Sequence, residues 1–311
     1  MKERVLVLKL GALGNMVLSM GAFAAIRAHH ANAEITLLTT APYQRWMAQA
    51  PYFDRIWIDR RPEWWDAAGW LALRRRLVEA RFDRVYDLQT SSRSSAYFRL
   101  FPRTRRPEWS GIAAGCSHPD RDPARDRIHD TDRQAGQLRQ AGIECVPPAD
   151  LSWSRADVSR FGLPSRYALL VPGSSSHRPQ KRWSADSYRA LASRLNAAGL
   201  APVVLGSAAE SELAFEIGQA ARDLTGRTEI ADLAELARGA VIAIGNDTGP
   251  MHVIAAAGCP SVVLFSADSD PALCAPRGTV VRVLRRDVLT DLPVEEVAYA
   301  TFELCADVQT A

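Results

Sequence analysis

The chain has 311 residues, of which 47% are apolar and 23% charged, which suits a soluble protein of two α/β domains better than one. No apolar run approaches the roughly 20 residues that a membrane-spanning helix needs. The five cysteines are scattered, with no CxxC pair and no metal-ligand spacing, which points to a reduced, cytoplasmic protein without a structural metal.

Residues 1–150 carry 23 Lys+Arg against 17 Asp+Glu, net +6, and the remainder 15 against 18, net −3. The basic half suits an anionic acceptor or an anionic membrane surface. Arginine-rich codon usage with solvated helix faces reads the same residues more plainly.

The opening residues enter a strand pattern directly, with no signal-peptide core. Strands are predicted over 5–10, 35–39, 55–58 and 84–88, and helices over 16–29, 43–49, 67–80 and 92–101. Such alternation reads as βαβ units on a parallel sheet. A polar stretch over 102–130 interrupts the rhythm and is predicted as a long functional loop or a surface excursion. The pattern pauses at Pro147-Pro148 and restarts after Pro164. Strands then follow over 167–171, 202–205, 241–244, 261–265 and 280–284, with helices over 185–198, 209–221, 230–238 and 251–257. A last helix is predicted over 294–305. We therefore expect Rossmann-like domains at 1–160 and 161–290, and a segment 291–311 that packs back on the first. In open α/β sheets, ligands bind beyond the carboxyl ends of the strands, here in a cleft between the domains.

Three motifs fall at such ends. Gly245-Asn246-Asp247-Thr248-Gly249-Pro250-Met251-His252 follows an apolar strand and opens a helix, with Asp247 and Thr248 as caps and Pro250 in the first turn. It reads either as a well-capped helix or as a diphosphate site made of backbone N–H groups and the helix dipole. His252 alone reads as a packed helix residue. Pro172-Gly173-Ser174-Ser175-Ser176, running on to Lys181-Arg182-Trp183, offers hydroxyls and a lysine to phosphate oxygens; the plainer reading is a polar loop before a helix, with Trp183 buried. Lys181 is one of only three lysines beside 35 arginines. No Walker A loop is present. Lys9-Leu10-Gly11-Ala12-Leu13-Gly14-Asn15 is a glycine turn after the first strand, without the full dinucleotide fingerprint.

Taken together, Asp247 through Ala257, Pro260, Val263-Leu264-Phe265 and Asp270-Pro271 resemble the signature of glycosyltransferase family 9, which contains the ADP-heptose:lipopolysaccharide heptosyltransferases. Pro172 through Trp183, Lys9 through Gly14, Asp87-Leu88-Gln89 with Arg93-Ser94, and His129 with Arg133 are similar to its other landmarks. The resemblance implies a GT-B fold, with an N-terminal acceptor domain and a C-terminal nucleotide-sugar domain facing each other across a cleft. It implies inverting transfer of a heptose-like sugar from an ADP-sugar to a lipopolysaccharide-core or related acidic glycan. No metal or other cofactor is implied, nor any nucleic-acid partner. The protein would work in the cytoplasm, in peripheral contact with the inner membrane.

By the same resemblance, Lys181 would neutralise the donor diphosphate, with Ser175 and Ser176 beside it. Thr248 and Gly249 would bind phosphate, Asp247 the sugar hydroxyls, and Leu224-Thr225-Gly226 would lie near adenine and ribose. His252 would complete the donor site, and Gly14, Arg93 and Arg133 would serve the acceptor. The family's general base is an Asp after the glycine matched by Gly14, and here that position is Asn15. An amide takes up no proton at useful pH. Another carboxylate such as Asp87 or Asp120 could serve, the chain could bind without efficient transfer, or Asn15 could be an introduced substitution.

Overall fold

The computed structural model describes residues 2–174 and 182–310. The chain divides into two compact units, residues 1–149 and 150–311. Each is built on one parallel six-stranded sheet.

In the first unit the strands are β1 (Arg4–Leu8), β2 (Glu34–Thr39), β3 (Arg55–Ile58), β4 (Arg84–Asp87), β5 (Glu108–Gly111) and β6 (His118–Pro119), in spatial order 3-2-1-4-5-6. The helices are α1 (Leu13–Leu18), α2 (Met20–His29), α3 (Ala41–Met47), α4 (Ala67–Glu79), α5 (Ser92–Phe98) and α6 (Asp130–Gln140). The central strands are buried on both faces, as parallel sheets require: residues 5–8 of β1 and 35–39 of β2 are all buried. Leu6, Leu8, Leu38, Val85, Phe98 and Trp109 share one core cluster.

Two predicted elements differ. The helix expected over 16–29 breaks at buried Ser19, whose hydroxyl donates to the Asn15 carbonyl one turn back at 2.7 Å and competes with the helical ladder. The loop expected over 102–130 contains β5 and β6, which extend the sheet in parallel from β4. These strands are short and polar, and β6 ends in a proline, which only an edge strand accepts. Here Ser117 takes the Trp109 N–H at 2.7 Å and holds a fully buried indole in the core.

The second unit repeats the plan. Its strands are β7 (Tyr167–Val171), β8 (Ala201–Val204), β9 (Arg222–Asp223), β10 (Ile242–Asn246), β11 (Ser261–Phe265) and β12 (Val281–Arg285), in spatial order 12-11-10-7-8-9. Counted from β7, this is the order of the first sheet. Helices α7 (Ala185–Ala197), α8 (Ser211–Ile217), α9 (Ile230–Gly239), α10 (Gly249–Ala256), α11 (Pro271–Cys274) and α12 (Val294–Thr310) complete the unit.

The boundary lies at 149/150 rather than 160/161. The reason is ionic: Arg160 pairs with buried Asp232 of α9 at 2.6 Å, and Arg238 of the same helix donates to the Ser154 carbonyl at 3.0 Å. The helix of segment 291–311, expected to pack back on the first domain, has its apolar face, Val297, Ala298, Ala300 and Leu304, in the second unit's core cluster.

Trp183 anchors that core. It is 1% exposed, its indole N–H donates to the Leu292 carbonyl at 2.9 Å, and its ring meets Tyr188 edge-on at 5.0 Å. Trp183→Ala should cost about 3–5 kcal/mol, the range for emptying an aromatic site in a packed core. Urea unfolding followed by circular dichroism would register this as a lowered midpoint of the second unit.

Candidate functional site

In each sheet the strand order reverses direction beside the unit's first strand, between β1 and β4 and between β7 and β10. Crevices at such reversals are where open α/β sheets take ligands. The sequence motifs lie at these four strand ends.

In the second unit, Asn246 closes β10. It is fully buried, and its side-chain oxygen accepts from the Trp183 N–H at 3.2 Å and the Tyr188 hydroxyl at 3.1 Å. Its amide nitrogen donates to the carbonyls of Pro172 at 2.7 Å and Gly173 at 3.4 Å. The chain after β10 is thereby tied to both ends of the 172–183 segment. Gly245, just before, admits no side chain: a Cβ would sit 2.7 Å from Val171 Cβ and 2.6 Å from Met251 Sδ.

Thr248 is the N-cap of α10 but makes no side-chain capping bond, contrary to the cap read from sequence. Its first turn holds no acidic residue, so the positive end of the helix dipole is left for an external anion. Asp247 accepts from the Ser269 hydroxyl at 2.6 Å. His252 is buried, 6% exposed. Ser175, Ser176 and Lys181 lie outside the described residues.

At the ends of β8 and β9, Gly226 donates its N–H to the Gly206 carbonyl at 2.8 Å. Leu224 is fully buried, and its N–H donates to the Val204 carbonyl at 3.0 Å. The Thr225 hydroxyl donates to Asp223 at 2.7 Å. Glu210 was not singled out from the sequence, though Ser207-Ala208-Ala209-Glu210 spells a capping box. It takes the Ser207 N–H and hydroxyl at 2.5 and 2.8 Å and lies against Gly173 and Gly206. A carboxylate there is a natural acceptor for hydroxyl groups.

In the first unit, Lys9 is 2% exposed and donates to the Leu88 carbonyl at 2.9 Å, joining the ends of β1 and β4. Burial lowers its pKa, and Asp130, 3.9 Å away, opposes that shift. Gln89 accepts the Leu10 N–H at 2.8 Å. Arg133 pairs with Asp130, and His129 caps α6 through the Thr131 N–H.

Leu10, Gly11, Ala12, Thr40, Tyr43, Arg61, Gln89, Ser91, Ser92 and Arg93 line a cavity of about 560 Å³. Arg61 and Thr90, at φ +51° and +43°, hold left-handed backbone at its edge. Such strain collects at functional sites. Arg93 thus lines the cavity, whereas Arg133 belongs to the Lys9–Asp130 cluster. Gly14 is buried in α1, with Asn15 exposed beside it. Among the described residues, no cluster of three or more His, Cys, Asp or Glu side chains is set to hold a metal ion.

The two carboxylates expected as substitute bases are not open to a substrate. Asp120 is buried and ion-paired with Arg125 at 2.9 Å. Asp87 is fully buried, and one oxygen accepts the N–H groups of Thr90 and Gln89 at 3.0 and 3.1 Å. Burial pushes its pKa up to about 6, against the pull of those bonds and of Lys9.

The model of glycosyltransferase family 9 (heptosyltransferase) matches residues 70–290. The chain is 28% identical over 320 residues to lipopolysaccharide heptosyltransferase 2 of Salmonella typhimurium, covering 91% of this chain and 88% of that protein. A family 9 glycosyltransferase from Veillonella parvula superposes with a TM-score of 0.85 at 21% identity, covering 98% of both chains. The ADP-heptose lipopolysaccharide heptosyltransferase II of Escherichia coli does so with a TM-score of 0.78 at 22% identity, covering 99% of this chain and all of the other. The likeness fixes the fold as the two-domain GT-B type.

Asp87 gives the first unit a characteristic pH dependence. Its folded pKa lies above the unfolded value, so folding takes up a proton between the two, and this contribution to stability falls as pH rises. The penalty is absent below about pH 4 and complete above about pH 6, roughly 3 kcal/mol at most. Asp87→Asn should remove that slope. Urea unfolding of both proteins from about pH 4 to 7 checks this; parallel curves would refute it.

Proposed function

The chain belongs to glycosyltransferase family 9, the heptosyltransferases, and on that premise we propose that it moves a heptose-like sugar from an ADP-sugar to a lipopolysaccharide-core or related glycan acceptor. The observation that carries this reading is the pairing of motifs with strand reversals. The Asp247-Thr248-Gly249 turn and the 172–183 segment flank one reversal, and the Lys9–Gly14 turn and the Asp87–Arg93 segment flank the other. The nucleotide sugar named for the E. coli relative is ADP-heptose, which supports that donor here.

The reaction is one displacement. The acceptor hydroxyl oxygen attacks the anomeric carbon and releases its proton to water, the bond from that carbon to the diphosphate breaks, and ADP leaves with inverted stereochemistry at the sugar. The charge that grows on the diphosphate meets the amino end of α10, with the Thr248 and Gly249 backbone, and the Lys181 ammonium. Asp247, oriented by Ser269, accepts from sugar hydroxyls. Ser175 and Ser176 add neutral donors, the Leu224-Thr225-Gly226 turn and His252 border the nucleoside and phosphates, and no metal is required.

The acceptor enters the first unit's cavity, where Arg61 and Arg93 meet acidic sugars or phosphate. Gly14 and Arg133 are assigned to the acceptor by the family resemblance, although neither lines that cavity. The acceptor's lipid would keep the enzyme at the cytoplasmic face of the inner membrane.

A second reading is favoured by one specific observation. Asn15 stands where a base is needed, and Asp87 and Asp120 are buried. An amide can orient the acceptor hydroxyl but not remove its proton. The chain as it stands would then bind donor and acceptor and transfer slowly.

Lys181→Ala should weaken ADP binding by about 1.5–3 kcal/mol, the worth of a hydrogen bond to a charged group. Isothermal calorimetry reads this directly, and unchanged affinity would remove Lys181 from the site. Asn15→Asp should raise transfer from ADP-heptose by about 10²–10⁴-fold while leaving donor affinity unchanged. Fast turnover by the unaltered chain that does not respond to the substitution would show that proton removal lies elsewhere.

A further inference from the structure

The segment between β3 and α4 presents an apolar surface that the fold leaves open. Trp64 is 81% exposed, Trp65 65% and Leu71 63%. The two indoles meet edge to face, with centroids 5.3 Å apart. Ala68, Leu71 and Ala72 recur at helical spacing on the exposed side of α4, while Leu77 turns into the core.

The backbone beneath the indoles is pinned. Arg93 donates to the Pro62 carbonyl and the Trp70 indole to the Glu63 carbonyl, each at 2.9 Å, and Asp66 caps α4 through the Gly69 N–H at 2.8 Å. Trp64 and Trp65 are therefore held outward by a fixed turn.

The rim is basic. Arg60, Arg61, Arg74 and Arg75 are all exposed, and residues 60–79 carry five arginines against Glu63, Asp66 and Glu79, net +2. Tryptophan, with an apolar body and a polar N–H, favours the boundary between headgroups and acyl chains. Arginines beside it meet lipid phosphates. The patch also adjoins the acceptor cavity: Arg61 and Arg93 line that cavity, and Arg93 holds the tryptophan turn at Pro62. A second copy of the chain fits less well. The three side chains expose on the order of 500 Å², short of the roughly 800 Å² per partner of a stable interface.

We propose that Trp64, Trp65 and Leu71 dock the protein on an anionic phospholipid leaflet, with Arg60, Arg74 and Arg75 on its phosphates. The leaflet would deliver a lipid-linked acceptor to the adjoining cavity, a step that rests on the transferase reading above.

The test is co-sedimentation of the full chain with vesicles of phosphatidylethanolamine and phosphatidylglycerol, and with vesicles of phosphatidylcholine alone. The unaltered chain should partition onto the anionic vesicles. Trp64→Ala with Trp65→Ala should lower that partition about tenfold or more, with thermal unfolding unchanged. Arg74→Ser with Arg75→Ser should lower it by about fivefold per charge, on the anionic vesicles only. Transfer to a de-lipidated oligosaccharide should survive the tryptophan changes, while transfer to a vesicle-borne acceptor should fall with binding.

Equal partition of the unaltered and tryptophan-substituted chains, or no vesicle binding by either, overturns the proposal. So does concentration-dependent dimerisation that the tryptophan changes abolish in the absence of vesicle binding, which assigns the face to a second copy. Vesicle binding that follows the tryptophans without any transfer to the de-lipidated acceptor counts against the transferase reading and leaves the membrane surface standing.

Discussion

Asn246 sits where β10 and β7 reach their carboxyl ends, and its amide joins the pieces of chain that a donor meets under the proposed function. Its oxygen holds Trp183 and Tyr188, and its nitrogen holds Pro172 and Gly173. A buried amide left without partners costs roughly 1–3 kcal/mol, so the residues on either side of the 172–183 segment are fixed by the same requirement that satisfies the side chain. The Trp183 indole carries that constraint into the core through Leu292 and Tyr188. The Asp247–Gly249 turn leaves from the same point. Core packing and the placement of the candidate donor motifs in the second unit thus share one side chain.

The first unit solves the equivalent problem with charge. Lys9 closes the seam between β1 and β4 through the Leu88 carbonyl, and Gln89 closes it again through Leu10. A buried ammonium needs a counter-charge, and Asp130 supplies it while also engaging Arg133 and Gln134. Asp87 lies in the same dry region, held by backbone N–H groups, with its proton affinity raised. These groups set the shape of the strand ends. The Arg61 and Arg93 side chains, carried on the neighbouring loop and helix, face the open cavity.

The contrast between the two units follows from their tasks under the proposed function. A nucleotide diphosphate is small and of fixed charge, so backbone N–H groups, a helix end and one lysine suffice. An acidic glycan on a lipid is larger and more varied, and a basic surface with several arginines tolerates that variety. The weak point is proton removal. At Asn15 the structure offers an exposed amide on α1, and the nearby carboxylates serve the fold.

Sequence alone determined the α/β character, the presence of two units and the strand ends that hold the motifs. Those features depend on local patterns: β-branched runs, glycine turns and amphipathic helices. It also carried the family resemblance, because Asp247 to His252 and Lys9 to Gly14 are contiguous. It did not determine β5 and β6, whose few residues become strands only as β5 pairs with β4 and β6 with β5. Nor did it place α12, whose apolar face fits any exposed sheet equally well and which packs in the second unit's core. Burial was equally hidden: Asp87 and Asp120 read as available carboxylates, and only the packed chain removes them from solvent. The bonds of Asn246 and the exposed pair Trp64–Trp65 belong to the same class. Whether a polar group finds partners, or an apolar one finds cover, depends on residues distant in sequence that only the folded chain brings within reach.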